Sequence, residues 1–131
     1  MVRAGEVYKG LPGDIAAARR LAGELLDRLG SAGTPAPADA VANLQLVVSE
    51  LVTNAVKYAT GPCGVDLRVL GDAVEVSVWD TSEQPVAEMG PDPGRVGRHG
   101  LEIVTMICGG FDVTATPTGK RITARVPFRR P

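Results

Sequence analysis

The stretch Ser49-Glu50-Leu51-Val52-Thr53-Asn54-Ala55-Val56-Lys57-Tyr58-Ala59 closes a long helical pattern, and its reading governs everything around it. At helical spacing Glu50, Asn54 and Lys57 share one side. With Glu50 at ~0°, Asn54 falls at ~40° and Lys57 at ~−20°, almost opposite an apolar stripe centred near ~145°. That stripe is Val41, Leu44, Val48, Leu51, Val52, Ala55 and Ala59. A polar side opposite a core stripe ordinarily faces water. Here Leu46 and Val47 flank it, and Asn is a poor helix-interior residue because its amide competes for backbone hydrogen bonds. An Asn one turn from a Glu, on a half-apolar side, suits a site that needs oxygens. Carboxylate and amide oxygens are hard donors of the kind magnesium accepts beside water and phosphate. Alternatively, the Glu50 carboxylate serves as a base toward a hydroxyl or water.

This helix is expected from 37–39 to about 59, stopped by Thr60-Gly61-Pro62. Before it, Asp14 is the expected N-cap of a helix running to about 29, with Ile15, Ala18, Ala22, Leu25, Leu26 and Leu29 at helical spacing. Gly30 suits a left-handed C-terminal cap, and residues 7–10 read as a short first strand. After the helix, 64–70 and 73–79 read as strands joined by Gly71-Asp72, a hairpin pair. Asp80 follows the alternating run Val74, Val76, Val78. A carboxylate at a strand end can accept from a ligand amine, or bond its own backbone in an Asx-turn. Trp79 is expected in the core beside it.

Residues 81–99 carry no periodic signal and three prolines, a length that calls for a functional lid. The lid runs into Val96-Gly97-Arg98-His99-Gly100-Leu101, a glycine-flanked turn opening a helix over about 100–108. Glycines allow close backbone approach to phosphate, and helix N-terminal N–H groups favour an anion. Arg95 and Arg98 could add charge-assisted contacts to it. His99 reads as structural or as a phosphate neighbour. Strands near 111–116 and 121–128, joined by residues 117–120, complete an α+β order with helices on one face of a mixed sheet.

In this order, the segments resemble the nucleotide-binding domain of sensor histidine kinases, Hsp90-type chaperones, gyrase B and MutL (GHKL proteins, the Bergerat fold). More closely, the chain looks like the stand-alone anti-sigma factor serine kinases. Glu50-Leu-Val-Thr-Asn54-Ala-Val-Lys57-Tyr-Ala59 looks like the N box, Asp80 stands at the first glycine-box aspartate, and Gly97-Arg98-His99-Gly100-Leu101 resembles the second glycine box. The resemblance implies a two-layer α/β sandwich with a mixed, mostly antiparallel sheet. It implies Asn54 as the ligand of a magnesium ion on ATP, Glu50 as general base toward a serine, and Asp80 as acceptor of the adenine amino group. Lys57, Arg98 and the backbone around Gly100 and Leu101 would hold phosphates. Its implied partners are an anti-sigma antagonist of the STAS type, a sigma factor, or both, and a second copy in a homodimer. The first box departs from Asp-x-Gly-x-Gly: it reads Asp80-Thr81-Ser82-Glu83-Gln84. That departure leaves a partner-binding switch without phosphoryl transfer as the second expectation.

Composition agrees with such a protein. The 131 residues suit one domain over 1–131, and 44% hydrophobic against 22% charged residues is a globular balance rather than a disordered one. A net charge of −1 with interleaved signs argues against a nucleic-acid surface. Cys63 and Cys108 are expected as reduced thiols. With no apolar leader and no run approaching ~20 apolar residues, the expected place is the cytoplasm, away from membranes. No phospho-accepting histidine or dimerisation helix precedes the domain, so a complete sensor kinase is not expected.

Overall fold

The computed structural model describes residues 2–59, 61–82 and 96–128, with side chains in the last segment from Gly100 onward. Along the chain run β1 (Arg3–Tyr8), α1 (Gly13–Ser31), α2 (Ala38–Tyr58), β2 (Cys63–Leu70), β3 (Ala73–Asp80), α3 (Val96–Cys108), β4 (Asp112–Thr116) and β5 (Gly119–Pro127). The strands form one sheet in the order β1-β2-β3-β5-β4. Every pairing among the described strands is antiparallel, so the parallel element of a mixed sheet does not appear there. No described helix is long and apolar enough to cross a membrane.

The core forms because period-2 and period-3.6 apolar patterns meet on one side of this sheet. Val74, Val76 and Val78 of β3 and Ile122, Ala124 and Val126 of β5 point to that side and are buried. Against them pack Leu25 and Leu29 of α1, Leu44, Val48, Leu51 and Val52 of α2, and Leu101 and Val104 of α3. The opposite face is polar. Arg68 donates to Glu75 at 2.6 Å, while Arg121 reaches Asp66 at 3.1 Å and Ser77 at 2.6 Å. Trp79 belongs to this outer face, in register with Gly64, where its indole lies on the glycine backbone. The expectation of a core Trp79 is therefore corrected by strand parity: Trp79 alternates with Asp80.

Several boundaries also shift. The first strand is Arg3–Tyr8 rather than 7–10, an edge strand too exposed to carry clear alternation. Asp14 is not the N-cap of α1. It sits in the first turn and its Oδ2 accepts the N–H groups of Gly10 at 3.0 Å and Leu11 at 2.7 Å, so it secures the preceding turn instead. Gly30 stays helical because Leu29 is still core-facing, and the left-handed residue is Gly33, at φ 92°. Helix α3 begins at Val96, so the glycine-flanked segment 97–100 lies inside it rather than forming a turn before it. The final strands run Asp112–Thr116 and Gly119–Pro127, which moves Gly119 and Lys120 from the connecting turn into β5.

Gly119 is required where β5 meets the end of β3. A Cβ there would collide with the carbonyl oxygen of Asp80 and come within 2.7 Å of Thr81 Cα. Gly13, in contrast, has open space around it. Gly119→Ala is expected to cost about 1–3 kcal/mol through forced backbone displacement, lowering the melting temperature by several degrees. Gly13→Ala is expected to leave it unchanged or raise it. Equal melting temperatures for the two variants would contradict this packing.

Candidate functional site

Helix α2 is buried on two sides. Its apolar stripe faces the sheet and α1, and α3 lies against the side that carries Glu50. Contact there is close: a Cβ on Gly100 would sit 2.6 Å from Glu50 Oε2. The glycine leaves the carboxylate its place against the α3 backbone, and a larger residue would oblige Oε2 to turn away. Val47, which flanks the polar side in sequence, is fully buried, whereas Leu46 is 40% exposed.

Asn54 is 1% exposed, and the solvated-face reading fails for it. Neither its Oδ1 nor its Nδ2 has a hydrogen-bond partner among the described residues, and the Tyr58 hydroxyl, one turn further, is in the same condition. Buried polar groups are normally paired, and leaving one unpaired costs about 1–3 kcal/mol. Glu50, half-buried, has its carboxyl pushed above the ordinary 4.5 by desolvation. Lys57 does point to solvent, its ammonium 5.9 Å from the Tyr58 ring centroid. Gly100 is thus brought against Glu50, one turn from Asn54, and Lys57 stands at the margin. Leu101 is a core side chain, leaving only its backbone for a ligand.

Asp80 lies on the core face of β3 and is 2% exposed. Both readings of it meet a third partner. Its Oδ1 accepts the Ser82 N–H at 2.9 Å, the Asx-turn contact. Lys120 Nζ donates to both carboxylate oxygens at 3.0 Å. Cys63, Asp80 and Lys120 are opposite one another across β2, β3 and β5, forming a buried row at one end of the sheet. Burial first, then the charges of Asp14 and Asp80, push the Cys63 thiol up to about 11, so it stays protonated and inert near neutral pH. Burial raises Cys108 to about 11 as well, and both cysteines are free.

Lys120 is the residue that sequence reading missed. Its signal was its phase, because it falls in step with Ile122, Ala124 and Val126 on the core face. Of the remaining candidates, Gly97, Arg98 and His99 occupy the first turn of α3, and the side chains of Arg98 and His99 lie outside the described residues. Arg95 and the greater part of the expected lid over 81–99 also lie outside them. No cluster of three or more metal-binding side chains occurs among the described residues. A magnesium ion fits this donor set only as a companion of phosphate, with Asn54 Oδ1 as the unpaired hard oxygen.

The model of a family described as the Histidine kinase-like ATPase domain matches residues 9–126. No curated protein matches. Among solved structures, the RsbU and RsbW domains of Rv1364c from Mycobacterium tuberculosis superpose with a TM-score of 0.71 at 20% identity, over 100% of this chain and 34% of that one. The histidine kinase domain of the blue-light activated histidine kinase EL346 from Erythrobacter litoralis gives 0.53 at 21% identity, over 85% of this chain and 61% of that one. This chain therefore spans about a third of the first neighbour and three-fifths of the second, and at these identities the likeness is one of fold.

Two outcomes follow from the burial of α2. Asn54→Leu removes two unpaired polar atoms at similar volume and is expected to raise the melting temperature of the ligand-free protein by a few degrees. A lower melting temperature would show that the amide is paired. Because Glu50 is raised above its ordinary 4.5, its charged form destabilises the fold above the raised value. That cost is relieved as pH falls through it and is gone below the unfolded value. Glu50→Gln is therefore expected to melt higher than the native chain near neutral pH, with the gap closing toward and below 4.5. A gap independent of pH would remove the effect from Glu50.

Proposed function

The chain belongs to the Histidine kinase-like ATPase domain family, and from that premise we propose that it binds magnesium–ATP beside α2 and transfers the terminal phosphoryl group to a serine or threonine hydroxyl of a protein partner. The observation that carries the proposal is Asn54, whose amide is buried with neither polar atom paired, one turn from a carboxylate raised by burial. An unpaired buried amide is a cost in the ligand-free fold that a bound ligand would offset.

In this reading Asn54 would hold the magnesium ion, which supplies charge neutralisation on the phosphates. Glu50 takes the hydroxyl proton at a carboxylate oxygen while the hydroxyl oxygen bonds the γ-phosphorus. The bond from that phosphorus to the bridging oxygen breaks, and ADP leaves. A base near its working pH does this best, and desolvation moves Glu50 in that direction. Positioning and charge neutralisation provide most of the acceleration in such transfers. Asp80 meets the base edge at the sheet end. Lys57, Arg95, Arg98 and the backbone of Gly97, His99, Gly100 and Leu101 are the phosphate side of the site. The partner is an anti-sigma antagonist of the STAS type, a sigma factor, or both, met in the cytoplasm by a homodimer of this chain.

A second reading, a nucleotide-dependent switch that holds its partner without transfer, is favoured by the ion pair that already engages Asp80. Calorimetric titration with ATP and ADP, with and without magnesium, separates these readings from a fold that binds nothing. Magnesium-dependent micromolar binding is expected, lost in Asn54→Leu. Glu50→Gln should keep ATP and lose transfer to a STAS-domain antagonist by about 100-fold or more. Native-rate transfer by that variant would remove Glu50 as the base, and absence of transfer in the native chain with ATP bound would favour the switch.

A further inference from the structure

The Asp80–Lys120 pair is more than a structural ion pair in the position it occupies. Their side chains are 3% and 6% exposed, and Lys120 Nζ stands 3.0 Å from each carboxylate oxygen. An ammonium has three N–H donors. Two are spent on Asp80, and no acceptor among the described residues takes the third. On the carboxylate, Oδ1 also accepts the Ser82 N–H, whereas among the described residues Oδ2 receives only Lys120. The pair therefore presents one spare acceptor and one spare donor, adjacent, at the end of the sheet.

A lone buried carboxylate offers only acceptors. It takes an amino group and repels a carbonyl oxygen, which is how such a site rejects the wrong base. With an ammonium beside it the repulsion is removed, because the carbonyl oxygen can accept from Lys120. We propose that Lys120 is the residue that sets base specificity in this site, widening it from 6-amino purines to 6-oxo purines such as hypoxanthine and guanine. A 6-amino purine donates its amino N–H to Asp80 Oδ2 and accepts at N1 from Lys120. A 6-oxo purine accepts at O6 from Lys120 and donates N1–H to Asp80. The two edges present donor and acceptor in opposite order, so a 6-oxo purine turned over in the site satisfies both members of the pair and leaves neither buried charge unmatched. The inference rests on the nucleotide reading of Asp80 and extends it to the choice of base.

The test is calorimetry with magnesium, using ATP and inosine triphosphate, which present a 6-amino and a 6-oxo edge without the extra 2-amino group of guanine. The native chain is expected to bind the two within about ten-fold of each other. Lys120→Met restores a lone carboxylate and should raise the preference for ATP by about ten-fold or more, while Lys120→Arg, which keeps charge and donors, should retain the native ratio. A native preference for ATP above about 100-fold overturns the assignment without any variant, and so decides the matter even if Lys120→Met fails to fold. A ratio unchanged in Lys120→Met, with both nucleotides bound, overturns the role of Lys120 and leaves the nucleotide site standing. Failure of both nucleotides to bind the native chain and Lys120→Arg overturns the nucleotide reading itself, and this inference with it.

Discussion

Everything in this molecule depends on a helix that must be buried along two sides at once. Against the sheet, α2 presents Leu44, Val48, Leu51 and Val52, and hydrophobic burial alone explains that contact. Against α3 it presents Glu50 and the neighbourhood of Asn54, which hydrophobic burial does not explain. The glycine at position 100 leaves room for the Glu50 carboxylate where it stands, since a Cβ there would oblige its Oε2 to move aside. Asn54, one turn on, is out of water too, with no hydrogen-bond partner among the described residues. Stability is lost at one place in the fold, where a buried amide stands one turn from a half-buried carboxylate.

The sheet end poses the complementary problem. Asp80 and Lys120 are both on the core face, where an isolated charge is costly to bury. Together they are tolerated, and removal of either would cost about 3–5 kcal/mol by stranding the other. Cross-strand register makes the pairing unavoidable, because Asp80 and Lys120 stand directly opposite in adjacent strands. Gly119 keeps the β5 backbone against the carbonyl of Asp80 and so fixes the height at which the ammonium arrives. One half of the candidate site is thus short of partners and the other half is supplied with them from within.

The long apolar patterns were legible from sequence because burial on one face leaves a periodic trace. The stripe of α2 and the alternation of Val74, Val76 and Val78 predict the elements that are found, and Glu50, Asn54 and Asp80 stand out against them by residue type. Edge strand β1 left no such trace, since most of its residues are exposed. Glycines misled in two directions. Gly30 reads as a helix stop and is passed over, the helix running one residue further to Ser31. Gly97 and Gly100 read as a turn, yet lie within α3, where Gly100 has a steric role rather than a conformational one. The burial of Asn54 could not be read from α2 alone, because a polar residue opposite the core stripe carries no periodic trace of what covers it. Lys120 could have been found, as a charge in phase with Ile122, Ala124 and Val126.

Strand parity places the chain's only tryptophan on the reverse of the sheet from Asp80, one residue away. Its indole rests on the backbone of Gly64, the neighbour of Cys63 in the buried row. Trp79 is therefore an optical label attached to the back of the site. The sheet stands between its indole and anything bound on the helical side, so a change in its emission on ligand binding would report movement passed through the sheet rather than direct contact with the ligand.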